Sequence, residues 1–308
     1  MRNPTLEEII ADNDADERGF VNLSEHFLRI SRFLYSGATV EAAWQMKKNR
    51  QIAEENWSEG IAGPLHIAGS IESVDVTPSA LNPETAGWCD TGAQYDDALS
   101  EITAAYLKEV TRFMWAWIAL EKLASSLCGN KGSRTERVIQ FLKQSPNVLW
   151  EEAKSLGKGA FSLLDPRICV HTEFGEFFPR LFDQKIHNRI GALLLKEQNA
   201  DFWHIHICRE VRNELFHAHS VTLSPPEDYE IFEDPRVRLP KTLCRITLLV
   251  IQSVLYTYFY NSKCLTENHL DLKGVLPNVP LHIAMRRIHI ADTDIHHKQP
   301  ELFPWGLQ

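Results

Sequence analysis

Along most of the chain the apolar positions recur at steps of three and four, the spacing that gathers them on one face of an α-helix. Ser24 to Tyr35 predicts a helix on this pattern, with Phe27, Ile30, Phe33 and Leu34 on one side and Ser24 as its cap. Val40 to Trp57 predicts another. The longest run is Tyr95 to Leu127. There Tyr106, Val110, Phe113, Trp117, Leu120, Ala124 and Leu127 form one apolar face, and the glycine of Cys128-Gly-Asn-Lys-Gly-Ser ends it. Ser133 to Gln144, Glu176 to Lys196 and Ala200 to His217 follow as helices. Val237 to Tyr260 is apolar nearly all round, as expected of the central helix of a bundle.

The pattern fails elsewhere. Residues 1–20 are polar and acidic. Between 58 and 92, Gly60, Gly63, Pro64, Gly69, Pro78, Pro83 and Gly87 interrupt any helix, and Ile71 to Val76 alternates weakly, as one short strand would. Residues 221–235 are rich in Pro, Asp and Glu and predict a loop. No internal repeat is visible. The expected class is mainly α. The expected layout is an acidic N-terminal region over 1–94, mostly helical with a Gly/Pro-rich linker at 58–92, then a helical bundle over 95–263 and an irregular C-terminal extension over 264–308.

Charge sharpens this division. The 308 residues carry a net −9. Residues 1–105 hold 7 Lys/Arg against 18 Asp/Glu, residues 106–263 hold 21 against 18, and residues 264–308 hold 4 against 5. A charge-driven coating of nucleic acid is excluded for the acidic first third, whose carboxylates are expected on a solvated helical surface. The middle segment is the part able to meet phosphate.

Six cysteines, Cys89, Cys128, Cys169, Cys208, Cys244 and Cys264, are too scattered for a zinc ribbon or a CxxC redox pair. The N-terminus has no apolar signal core, so the thiols are expected reduced and the protein cytoplasmic. Leu248 to Tyr260 is well short of the ~20 apolar residues that span a bilayer, and no membrane association is expected. There is no Walker loop, no GxGxxG and no HExxH, so no cofactor is expected.

Candidate chemistry concentrates in Ile207-Cys-Arg-Glu-Val-Arg-Asn-Glu-Leu-Phe-His-Ala-His219. On a helix, Ile207, Val211 and Leu215 make a core stripe. Arg209, Asn213 and His217 follow one another at i+4 on another side, a stripe of guanidinium, amide and imidazole. Arg212 lies about 140° round from His217, so it joins that stripe only by side-chain reach, a distorted helix end or a second subunit.

Arg212-Asn213-x-x-x-His217 resembles the R-x4–6-H motif of HEPN domains, with the polar residue usual after the arginine. The surrounding layout is similar too: an aromatic helix with Trp115-Ala-Trp-Ile-Ala-Leu-Glu121 upstream, and the long apolar helix 237–260 after the motif. The resemblance covers about residues 95–263. It implies a HEPN-like bundle and a metal-independent endoribonuclease, often a toxin or antiviral effector, working as a homodimer with two motifs in one cleft. It implies Arg212, Asn213 and His217 as catalytic residues, and RNA as substrate.

The residue chemistry fits. RNA brings its own nucleophile, the 2′-OH. A histidine exchanges protons near neutrality, and an arginine holds the scissile phosphate in bidentate fashion. Asn213 orients His217 or a phosphate oxygen. Arg209 and His219 are candidate substrate-binding residues. The alternative for Arg209 is an ion pair with a helix neighbour such as Asp201 or Glu214. His217-x-His219 lacks an obvious third ligand, so no metal site is expected. His204 and His206 read as structural or rim residues. Glu121 reads as an ordinary exposed helix charge, with a brace for the motif arginine as the alternative. Trp115 and Trp117 cannot both face the core. An antitoxin or regulatory partner is possible on the resemblance. The competing functions are a non-catalytic HEPN module that binds RNA, a nucleotide or a protein, and a helical interaction protein whose motif is accidental.

Overall fold

A computed structural model describes residues 20–35, 57–77, 90–129, 131–143, 202–216, 234–259, 265–266 and 279–280, together with Ala192 and Ile288. Among the described residues there are six helices: α1 (Leu23–Tyr35), α2 (Trp57–Ser70), α3 (Asp90–Leu127), α4 (Arg134–Leu142), α5 (Trp203–Phe216) and α6 (Pro235–Phe259). One two-residue antiparallel ladder pairs β1 (Leu265–Thr266) with β2 (Val279–Pro280). The protein is mainly α. The expected helices 40–57, apart from Trp57, and 176–196, apart from Ala192, and the loop 221–235, apart from its last two residues, lie outside the described residues.

The 38-residue α3 is the spine, roughly 57 Å long at 1.5 Å per residue. It packs against α2 and α6, and α2 packs in turn on α1. Of the predicted face of α3, Phe113, Trp117, Leu120, Ala124 and Leu127 are buried in one core with Phe27, Ile30 and Leu34 of α1 and Leu248, Ile251 and Leu255 of α6, while Tyr106 and the half-buried Val110 pack in a smaller cluster with Ile102 and Val237. Of the paired tryptophans, Trp117 is buried and Trp115 only partly so. In α6, 89% of the most apolar window of Arg236–Tyr258, a stretch of membrane-crossing length and composition, is buried within the bundle.

The linker expected at 58–92 is a helix over its first part. Ile61, Ala62, Leu65 and Ala68 of α2 are fully buried, and this packing outweighs the local cost of Pro64 and three glycines. Gly69 lets α2 approach α1 closely: a Cβ there would lie 2.8 Å from Leu28 Cγ. Ser31 Oγ donates to Ala62 O at 3.1 Å across the same contact. Residues 71–77 are irregular, not the strand expected. The boundary placed near 94 falls inside α3, and α1 and α2 share one core with α3 and α6. Among the described carboxylates of this region, Glu59, Glu72, Asp75, Asp97 and Glu101 are exposed as expected, Glu25 is half-buried and Asp96 is buried.

Two buried arginines tie the helices. Arg112 on α3 reaches Glu109, Ser24 Oγ and Ile71 O at 2.6–2.9 Å, joining α3 to the start of α1 and the end of α2. Ser24 is thereby engaged away from its helix, and the expected cap of α1 is instead Asn22, whose Oδ1 accepts from Glu25 N at 2.8 Å. Arg245 on α6 donates to Val21 O and to His26 Nδ1, both at 2.8 Å. Arginine is donor-only, so Nδ1 must accept. The other ring nitrogen, Nε2, faces Gln252 Oε1 at 3.0 Å.

Candidate functional site

The site grows from the C-terminal half of α3 and the helices that follow it. After α3, Gly129 and Gly132 take positive φ of 80° and 88°, backbone that glycine adopts without a Cβ penalty. The turn delivers a capping box. Ser133 Oγ accepts from Glu136 N, and Glu136 Oε2 accepts from Ser133 N at 2.9 Å. These bonds hold the Glu136 carboxyl below its usual range, helped by the nearby charges of Arg209 and His206. The first turn of α4 therefore lies beside the middle of α5. Arg137 fastens the turn by donating to Gly129 O at 2.7 Å.

α5 begins after Phe202, buried and at φ 63°, a costly backbone for an aromatic residue that packing must compensate. Ile207 and Val211 face the core as expected, with Leu215 half-buried at its edge. Cys208, one step round, is also fully buried. Burial pushes its thiol up to about 12, and the Cys244 thiol on α6 is raised as well. Cys128, Cys208 and Cys244 are all free thiols.

Arg212 lies four residues on from Cys208, whose thiol faces Leu243 of α6, and its longer side chain reaches across to α3. Its Nη2 donates to Glu121 Oε1 at 2.6 Å and its Nη1 to Asn213 Oδ1 at 2.9 Å. Its guanidinium carbon stands 5.8 Å from the centroid of the Trp117 ring, within cation–π range. Trp117 Nε1 donates to the same Glu121 Oε1 at 2.9 Å. The other carboxylate oxygen, Oε2, accepts from Arg134 Nη1 of α4 at 2.6 Å. Glu121 thus joins three helices.

Several expectations change here. Glu121 is the brace, not an ordinary exposed charge: its side chain is 23% exposed and Arg212 is 24% exposed. Arg209 pairs with a helix neighbour, as its alternative reading has it, but the partner is the adjacent Glu210 at 2.7 Å. Asn213 is half-buried and links Arg212 to the polar stripe by side-chain reach. His204 is buried and His206 half-buried, in keeping with structural or rim roles. His217 and His219 lie outside the described residues. Arg134 was not singled out by sequence. The available signal was the basic run Lys131, Arg134 and Arg137 directly after the glycine turn.

Chemically, the cluster presents two guanidinium groups bridged by one carboxylate, with an amide and an indole beside them. Its summed formal charge is positive. Among the described residues no group of three or more His, Cys, Asp or Glu is placed to hold a metal ion. Compared with known proteins, the chain matches no family model, no curated protein and no solved structure. The HEPN resemblance therefore stands on the residues alone.

Proposed function

We propose that the protein is a metal-independent endoribonuclease of HEPN type. The observation that carries the reading is Arg212: a guanidinium held by Glu121 and Asn213, one quarter exposed, five residues before His217 on the same segment. A fixed and reachable cation is what a scissile phosphate requires. In the proposed reaction His217 takes the proton from a ribose 2′-OH, and O2′ attacks the adjacent phosphorus. The P–O5′ bond breaks as a second His217, across a two-fold homodimer, protonates O5′. Arg212 steadies the charge growing on the non-bridging oxygens. The products are a 2′,3′-cyclic phosphate and a 5′-OH, and DNA, lacking the 2′-OH, is not cut. Arg209 and His219 contribute substrate contacts. The resemblance extends the reading to a cytoplasmic toxin or phage-defence effector, held in check by an antitoxin or other regulator.

A second reading is a non-catalytic module that binds RNA, a nucleotide or a protein. It is favoured by the 2.6 Å ion pair itself, because the Glu121 carboxylate competes with a phosphate for Arg212. Incubating wild type and His217→Ala with total RNA and tRNA in excess EDTA separates the two. Cleavage by wild type only is the expected result. A folded dimer that binds RNA but leaves it intact belongs to the binding module.

A further inference from the structure

Arg134 has no place in the motif, yet it converges on the same carboxylate as Arg212. The two contacts, Arg134 Nη1 to Oε2 and Arg212 Nη2 to Oε1, are each 2.6 Å. The nitrogens they bring together are consequently within about 7 Å of each other, close enough for one phosphodiester group to bridge them. Two guanidinium charges against one carboxylate leave an excess of one positive charge. That excess lies where the solvent reaches: the Arg134 side chain is 54% exposed. Lys131, also exposed, and the half-buried Arg137 flank it on the same turn, against the one carboxylate of Glu136 there. In a chain of net charge −9, this is a local reversal of sign.

We propose that Arg134 is a substrate-binding residue, forming with Arg212 a two-guanidinium site for the RNA phosphodiester backbone. Glu121 sets the spacing of the pair. The RNA backbone then runs from the Arg212 phosphate across Arg134 toward the turn before α4. The inference rests on Arg212 being a phosphate contact and extends that site onto a third helix. Its affinity follows counterion release, about 0.7 in the salt slope for each single-strand phosphate neutralised.

The test uses the full chain and a short fluorescein-labelled single-stranded 2′-O-methyl RNA, which cannot supply the nucleophile, so binding is measured apart from cleavage. Fluorescence anisotropy is followed across a salt series for wild type, Arg134→Ala, Arg134→Lys and Lys122→Ala. Lys122 follows Glu121 on α3 but is exposed with its side chain beside Gly60 of α2, and it controls for the loss of one positive charge. Arg134→Ala is expected to lower the salt slope by about 0.7 and the affinity about fivefold near 0.1 M salt. Arg134→Lys, which keeps the charge and controls for folding, should retain the wild-type slope, and Lys122→Ala should change affinity less than twofold. Equal effects of Arg134→Ala and Lys122→Ala, or no binding by wild type at low salt, overturn the proposal. Loss of binding in Arg134→Ala, from a wild type that never cleaves unmodified RNA, keeps this site and removes the nuclease reading.

Discussion

Replacing Glu121 by Gln removes one negative charge and little else, because Gln keeps the length of the side chain and an oxygen for Trp117 Nε1. What is lost is the ionic part of two contacts. The Arg212 pair is about three-quarters shielded on both sides, so its worth lies between an exposed pair and a buried charged hydrogen bond, about 1–2 kcal/mol. The Arg134 pair is more exposed on the arginine side and contributes about 0.5 kcal/mol or less. The expected destabilisation is about 2 kcal/mol, roughly 3 °C in Tm for a chain of this size. Salt should erase the Arg134 share first. Thermal unfolding by circular dichroism gives the total, and a double-mutant cycle with Arg212→Gln isolates the pair, with a coupling of about 1 kcal/mol expected. In the nuclease reading the same substitution strengthens RNA binding, since the local positive charge rises. It slows cleavage by about 10–100-fold, since displacement of the phosphate-holding group by about 1 Å is costly. A coupling near zero, with unchanged Tm and unchanged cleavage, refutes Glu121 as the residue that positions Arg212.

Two further predictions address the packing. Gly69→Ala places a Cβ 2.8–3.0 Å from Leu28 and Phe27, and the resulting overpacking should cost about 1–3 kcal/mol in urea unfolding; a neutral effect would contradict the close approach of α1 and α2. The Cys208 thiol, ordinarily near 9, stands at about 12 in the folded protein. Its contribution is whole below pH 9 and is lost as pH rises toward 12, because the unfolded chain releases the proton first. Between pH 9 and 12 it removes about 1.4 kcal/mol per pH unit, and urea unfolding of Cys208→Ala should show a decline shallower by about that amount. Identical slopes for the two proteins would mean that the thiol is accessible.

The elements that could be read in the sequence are those whose signal is local. α3 and α6 announce themselves by a long apolar face and by near-uniform apolarity. The glycines after α3 mark its end, and Ser133 with Glu136 marks the start of α4. α2 was hidden because its glycines and proline read as breakers, while its stability comes from burial between α1 and α3. The cap of α1 was misassigned because Ser24 is engaged by Arg112, 88 positions away. The site divides in the same way. Arg212, Asn213 and His217 follow from spacing on one segment. The Glu121 brace, 91 positions from Arg212, and Arg134 depend on how α3, α4 and α5 meet. Helical projection places Arg212 off the polar stripe, and its side chain reaches Glu121 of α3 instead.

The most direct test of the ribonuclease reading uses an oligodeoxynucleotide carrying a single ribonucleotide, incubated in excess EDTA with wild type, Arg212→Ala and His217→Ala. The account predicts one cut by wild type, directly 3′ of the ribose, leaving a 2′,3′-cyclic phosphate and a 5′-OH, and no cut by either variant although both remain folded. Cleavage at deoxyribose positions, a 5′-phosphate end, or undiminished cutting by His217→Ala would contradict it.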